Sequence, residues 1–204
     1  MTEHASKTRK NLIRMAGFAL LALPGSALAH TGHETTGAVH GLIHPFTGLD
    51  HLLAMLLVGL FAYQLGGRAL WALPLAFLTA LGLGGLLGMS APGTGLVEIG
   101  IAVSVIVLGT AVALNLRAPV ALAAAVVGFF AIFHGYAHGA EMPASASAMS
   151  YGAGFMLGTA LLIAMGIGLG RIQNLAAQRA GGNLVRPAGT VAALVGVGLL
   201  TGMA

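Results

Sequence analysis

Polar positions along this chain fall in short clusters, and between them run apolar stretches near 45–65, 69–89, 96–116, 119–138, 150–170 and 185–203. Each stretch is close to the roughly 20 apolar residues a helix needs to cross a bilayer. None alternates polar and apolar residues as a barrel strand would, and lipid requires a spanning segment to satisfy its own backbone. The pattern predicts an all-α protein, a polytopic bundle of six membrane helices forming one domain over 30–204. Pro45 and Pro119 stand where the first turn of a helix needs no amide donor. Ahead of these stretches, 1–14 is basic, 15–26 is an apolar run too short for a span, and Ala27-Leu28-Ala29 is a small-x-small cleavage signal. Segment 1–29 therefore predicts a cleavable signal peptide, with a mature chain beginning at His30.

Composition narrows the class. The 204 residues are 57% hydrophobic and 7% charged, against about a quarter charged in a soluble domain. Such a chain cannot cover a water-facing surface and must live in lipid. The absence of cysteine removes disulfides and thiolate metal sites. A net charge of +4 does not indicate nucleic-acid binding. Lys7, Arg9, Lys10 and Arg14 precede the predicted cleavage point, and the remaining bases are scattered arginines rather than a basic face. Those arginines, Arg68, Arg117, Arg171, Arg179 and Arg186, all fall between or beside spans on one side of the predicted bundle. The positive-inside rule makes that side cytoplasmic. The expected location is a bacterial cytoplasmic membrane, with both mature termini periplasmic. Glycine pairs Gly84/Gly88, Gly154/Gly158, Gly166/Gly170 and Gly198/Gly202 predict close helix packing.

Charge at the middle of a span costs about 2.5–3.5 kcal/mol on insertion scales, so the few polar residues here are informative. Span one opens with His44-Pro45-Phe46-Thr47-Gly48-Leu49-Asp50-His51, and span four closes with Phe133-His134-Gly135-Tyr136-Ala137-His138-Gly139-Ala140-Glu141. Both clusters are expected at the periplasmic end. His44 and His51 are two helical turns apart and share a face if His44 begins the helix. Asp50 and His51 would then lie roughly 8–9 Å inside its start. His134 and His138 are one turn apart on one face. Imidazole suits Ni, Cu, Zn and Fe, and a carboxylate adds charge or holds a ligating histidine in its metal-binding tautomer. The candidate metal ligands are His44, Asp50, His51, His134, His138 and Glu141. His30, His33 and His40, with Glu34, form a soft arm suited to capturing an ion. Glu98 is read as a first-turn residue favoured by the helix dipole, and Met55 as packing.

These two segments resemble the HupE/UreJ family of membrane permeases, associated with nickel-dependent hydrogenase and urease. The family's first motif, a histidine, five residues and then Asp-His, matches His44, Asp50 and His51. Its second, a Phe-His-Gly run with a further His and a Glu, matches His134, His138 and Glu141. The resemblance implies uptake of Ni2+, with Co2+ as the alternative cargo. It also implies maturation proteins of a nickel enzyme as partners. No permanently bound cofactor and no enzymatic activity are expected.

Two other classes fit the same residues less well. A haem-binding electron-transfer subunit would use His51 and His138 as axial ligands, although the nearby carboxylates disfavour it. An intramembrane hydrolase would need Ser90, Ser104 or Ser150, none of which sits in a GxSxG turn. A metal-binding assembly protein without transport would share the site and differ only in flux. No GxxxxGK[ST] sequence supplies an ATP motor.

Overall fold

The computed structural model describes residues 37–90, 95–142, 147–180 and 185–202. The predicted signal peptide, His30, His33 and Glu34 lie outside the described residues. The elements are α1 (Gly37–Ile43), a 3-10 turn (His44–Phe46), α2 (Leu49–Leu65), α3 (Ala69–Gly88), α4 (Gly95–Leu114), α5 (Val120–Ala140), α6 (Ala148–Ala180) and α7 (Val185–Thr201). Helix is the only regular structure among the described residues.

Four of these helices, α3 to α6, are long and apolar enough to cross a membrane. A fifth crossing is available if α1, the 3-10 turn and α2 count as one broken span, bent by 78°. The apolar α7 has 17 residues, which at 1.5 Å per residue is about 25 Å, short of a hydrocarbon core of about 30 Å.

The break before α2 corrects the expected start of span one. Pro45 lies in the 3-10 turn, and Gly48, extended at φ −94° and ψ 126°, separates that turn from α2. The polar stretch preceding it contains a helix, α1. The backbones of α1 and α6 touch: a Cβ on Gly41 would overlap the Tyr151 carbonyl, and one on Gly154 the Ala38 carbonyl. The bend therefore comes from tertiary contact that periodicity does not encode. α6 also departs from expectation by running past 170 to Ala180. Its last ten residues hold no Gly or Pro, so nothing ends the helix where the apolar run ends.

α2 lies at the centre, packed on α3, α4 and α6, and it buries Ala54, Met55, Leu57, Val58, Leu60, Phe61 and Ala62. A helix buried on most faces is expected to be apolar all round. α3 packs along α5, and α4 along α7. The α3–α5 contact is backbone to backbone, because a Cβ at Gly135 would overlap the Leu81 carbonyl and one at Gly139 the Gly85 carbonyl. Of the expected pairs, Gly84/Gly88, Gly154/Gly158 and Gly166 lie at such backbone contacts, whereas Gly170 makes room for the Tyr63 side chain. Gly202 instead follows α7 with φ +71° and open space around it, the backbone conformation typical just past a helix end.

Basic residues gather at the end where α2 and α4 finish. Arg117 Nη1 donates to the Gln64 carbonyl at 2.7 Å, and Arg186 Nε donates to the Ala113 carbonyl at 3.0 Å. Both satisfy carbonyls that a helix end leaves open. Arg68 stands 5.8 Å over the Trp71 ring. The histidine clusters occupy the opposite end, at the start of α2 and the finish of α5.

Candidate metal centre

The first turn of α2 builds one half of the site. Gly48 leaves room for it, because a Cβ there would lie 2.8 Å from Asp50 Oδ1 and 3.2 Å from His51 Nδ1. Asp50 is in the first turn of α2, where a carboxylate is favoured by the helix dipole, and not 8–9 Å within it. Its Oδ1 accepts the His51 backbone N–H at 2.8 Å and the His51 Nδ1–H at 2.8 Å. An ionised carboxylate only accepts, so Nδ1 carries the proton and Nε2 keeps a lone pair. That Nε2 is buried and has no hydrogen-bond partner among the described residues.

α5 supplies the other half. His134 is 0% exposed and His138 4%, one turn apart on the inward face, and the Gly135 and Gly139 contacts set their depth against α3. His134 Nδ1 and both nitrogens of His138 are buried without a partner among the described residues. An unpaired buried polar atom costs about 1–3 kcal/mol, and a bound cation is one partner that would satisfy several such nitrogens at once. The His51 ring centroid lies 4.1 Å from that of His138 and 4.8 Å from that of His134. α2 and α5 thus bring three buried imidazoles together.

A second group lies toward the bundle end. Donor atoms of His44, His138 and Glu141 all lie within 4.8 Å of one another. His44 Nε2 stands 3.7 Å from Glu141 Oε2, and the Glu141 side chain is 63% exposed. That separation exceeds a hydrogen bond and is near the roughly 3 Å between two donors on an ion with 2.0–2.1 Å bonds. His44 is not on the helix of His51, so their seven-residue spacing does not place them on one helical face. The 3-10 turn brings His44 to the same partner instead, with its ring 4.8 Å from that of His138. His138 belongs to both groups.

His40, expected in a soft arm, lies on α1 with its ring 5.7 Å from that of His44 and 5.7 Å from that of Tyr151. His40, His44, His138, His51 and His134 therefore form a series running from the exposed surface to the core. Phe155, with its ring 4.1 Å from that of His138, walls one side. An apolar cavity of about 120 Å³ adjoins His138, lined also by Leu81, Gly85, Tyr151, Phe155 and Met156. Glu98 is exposed in the first turn of α4, and Met55 is buried as packing.

Ser104 of α4, which the sequence offers only as a nucleophile, stands beside the site. Its Oγ lies 2.9 Å from His134 Nε2 and 2.6 Å from the Ile101 carbonyl oxygen. The available signal was a hydroxyl in the middle of an apolar span. A serine beside a histidine could begin a nucleophilic pair, but the Ser104 hydroxyl donates to the Ile101 carbonyl and not to His134, so the histidine is not placed to act as its base.

The fold and site together define a multi-pass helical membrane protein with a buried imidazole cluster, supported by a carboxylate and a hydroxyl, near one end of its bundle. The chain belongs to the HupE/UreJ family: the pattern of the family described as HupE / UreJ protein matches residues 18–199. It is 45% identical over 184 residues to Protein HupE of Rhizobium leguminosarum bv. viciae, covering 90% of this chain and 95% of that protein. No solved structure matches.

Proposed function

We propose that this chain is a permease that admits a divalent transition-metal ion, Ni2+ first and Co2+ next, from the periplasm to the cytoplasm of a bacterium, supplying a nickel enzyme such as hydrogenase or urease. The observation that carries the reading is the convergence of buried, unpartnered nitrogens of His51, His134 and His138 from two helices. Such atoms gain no hydrogen bond among the described residues, and coordination to a cation would give buried nitrogens a partner. With the arginine-bearing end cytoplasmic, the histidine end faces the periplasm, and this topology needs α7 as a sixth crossing, its shortness against the hydrocarbon core being met by local thinning of the bilayer.

His30, His33 and His40 serve capture. His44, His138 and Glu141 receive the partly hydrated ion, where the exposed carboxylate offsets its charge. His51 and His134 with His138 then replace further water by imidazole. Binding must be strong enough to admit the ion and weak enough to release it. A divalent ion moving inward down a potential of roughly 100 mV gains about 4.6 kcal/mol, twice the single-charge value, so passive entry is adequately driven. The partners implied are maturation proteins of the nickel enzyme.

The haem reading is disfavoured by geometry. The His51 and His138 rings lie 4.1 Å apart, which leaves no space for a porphyrin plane between them. A non-transporting metal-binding protein shares this site and is separated by flux. Purified full-length protein in proteoliposomes, with an inside-negative potential, should take up Ni2+ faster than empty vesicles, and His51→Ala should reduce the rate to background. Equal uptake by wild type and empty vesicles would exclude transport.

A further inference from the structure

We infer that Ser104 is a positioning residue for the metal site: it holds His134 in the Nε2–H tautomer and so leaves Nδ1 as the bare donor. The inference rests on reading His134 as a metal ligand. Its physical basis is a count of protons. A serine hydroxyl carries one hydrogen. The Ser104 Oγ is 2.6 Å from the Ile101 carbonyl oxygen, inside the range of an O–H···O bond. Two oxygens at that separation repel unless a proton lies between them. The hydroxyl proton therefore goes to Ile101, and Ser104 has only lone pairs to offer His134.

The 2.9 Å contact with His134 Nε2 must then be an Nε2–H donating to Oγ. Neutral imidazole holds one N–H, so Nδ1 is unprotonated. Nδ1 is the nitrogen that is buried without a partner among the described residues. The logic mirrors the other helix, where Asp50 fixes the tautomer of His51 and leaves Nε2 bare. The two supports differ in charge: Asp50 brings an anion near the bundle end, whereas Ser104 fixes a tautomer deeper in the bundle without adding charge. A neutral support there keeps the innermost imidazole from binding the cation too tightly to release it.

Two measurements test this. In full-length, metal-free wild type with 15N-labelled histidine in lipid nanodiscs, NMR should show His134 protonated at Nε2 and bare at Nδ1, the signals being assigned by their loss in His134→Ala. An Nδ1–H tautomer there overturns the inference whether or not any Ser104 variant folds. In titrations with Ni2+ alone, Ser104→Ala should bind about 10–100-fold more weakly, the usual cost of removing a ligand's outer hydrogen-bond partner, and Ser104→Thr should restore affinity. In a His134→Ala background, Ser104→Ala should cost nothing further. Wild-type affinity in Ser104→Ala, or an equal loss in the His134→Ala background, overturns the inference while the metal site itself stands. Wild-type affinity in His134→Ala removes the ligand role of His134 as well.

Discussion

His51, in the first turn of α2, and His138, in the last turn of α5, hold their ring centroids 4.1 Å apart. Among the described residues no other ring pair joins the two motifs so closely, and His138 is also the side chain common to the outer and inner groups. His138→Ala should therefore weaken Ni2+ binding by more than 100-fold, beyond the roughly 10–100-fold expected for a supporting residue. His44→Ala, which leaves the inner imidazoles in place, should stay within that range. Calorimetric titration of both variants checks the order, and a larger loss in His44→Ala would place the main site at the bundle end.

Asp50 accepts two hydrogen bonds from His51 alone, so its contribution is orientation and charge. Asp50→Ala frees the His51 ring to rotate and exchange tautomers. Ni2+ affinity should fall about 10–100-fold, while the loss of a first-turn carboxylate costs the fold only about 0.3–1 kcal/mol. Titration with Ni2+ beside a thermal melt separates the two effects. A large loss of stability with affinity retained would make Asp50 structural.

Much of this arrangement is legible in the sequence. The apolar runs locate α3, α4 and α5 to within about two residues, and the four-residue spacing of His134 and His138 places both on one buried face. The break at Gly48 is not legible, because the preceding helix forms against Tyr151 and Phe155 of α6, far along the chain. A proline followed by an apolar run reads equally well as a helix start. Ser104 was hidden for a different reason. A serine within a helix ordinarily bonds its own backbone, as Ser104 does with Ile101, and nothing in spacing reveals a second partner 30 residues onward.

The depth of His134 and His138 depends on α3 and α5 meeting at their backbones. Gly139→Ala would drive a Cβ into the Gly85 carbonyl, a rigid neighbour, so the helices must separate. Overpacking of this kind costs about 1–3 kcal/mol. Thermal stability in detergent and Ni2+ affinity should fall together in Gly139→Ala. Gly82→Ala is the control, since nothing lies within 4 Å of a Cβ there, and it should leave both unchanged. If Gly139→Ala behaves like Gly82→Ala, the close packing of α3 on α5 is not what sets the site.

X-ray absorption at the nickel edge of the Ni2+-loaded full-length protein addresses the central claim directly, because imidazole rings give a characteristic outer-shell scattering that water and carboxylate lack. The account predicts a first shell of nitrogen and oxygen at about 2.0–2.1 Å, as for other first-row ions, with outer-shell scattering from at least two imidazoles that is diminished in His51→Ala and in His138→Ala. A first shell of oxygen donors alone, unchanged in both variants, would contradict it.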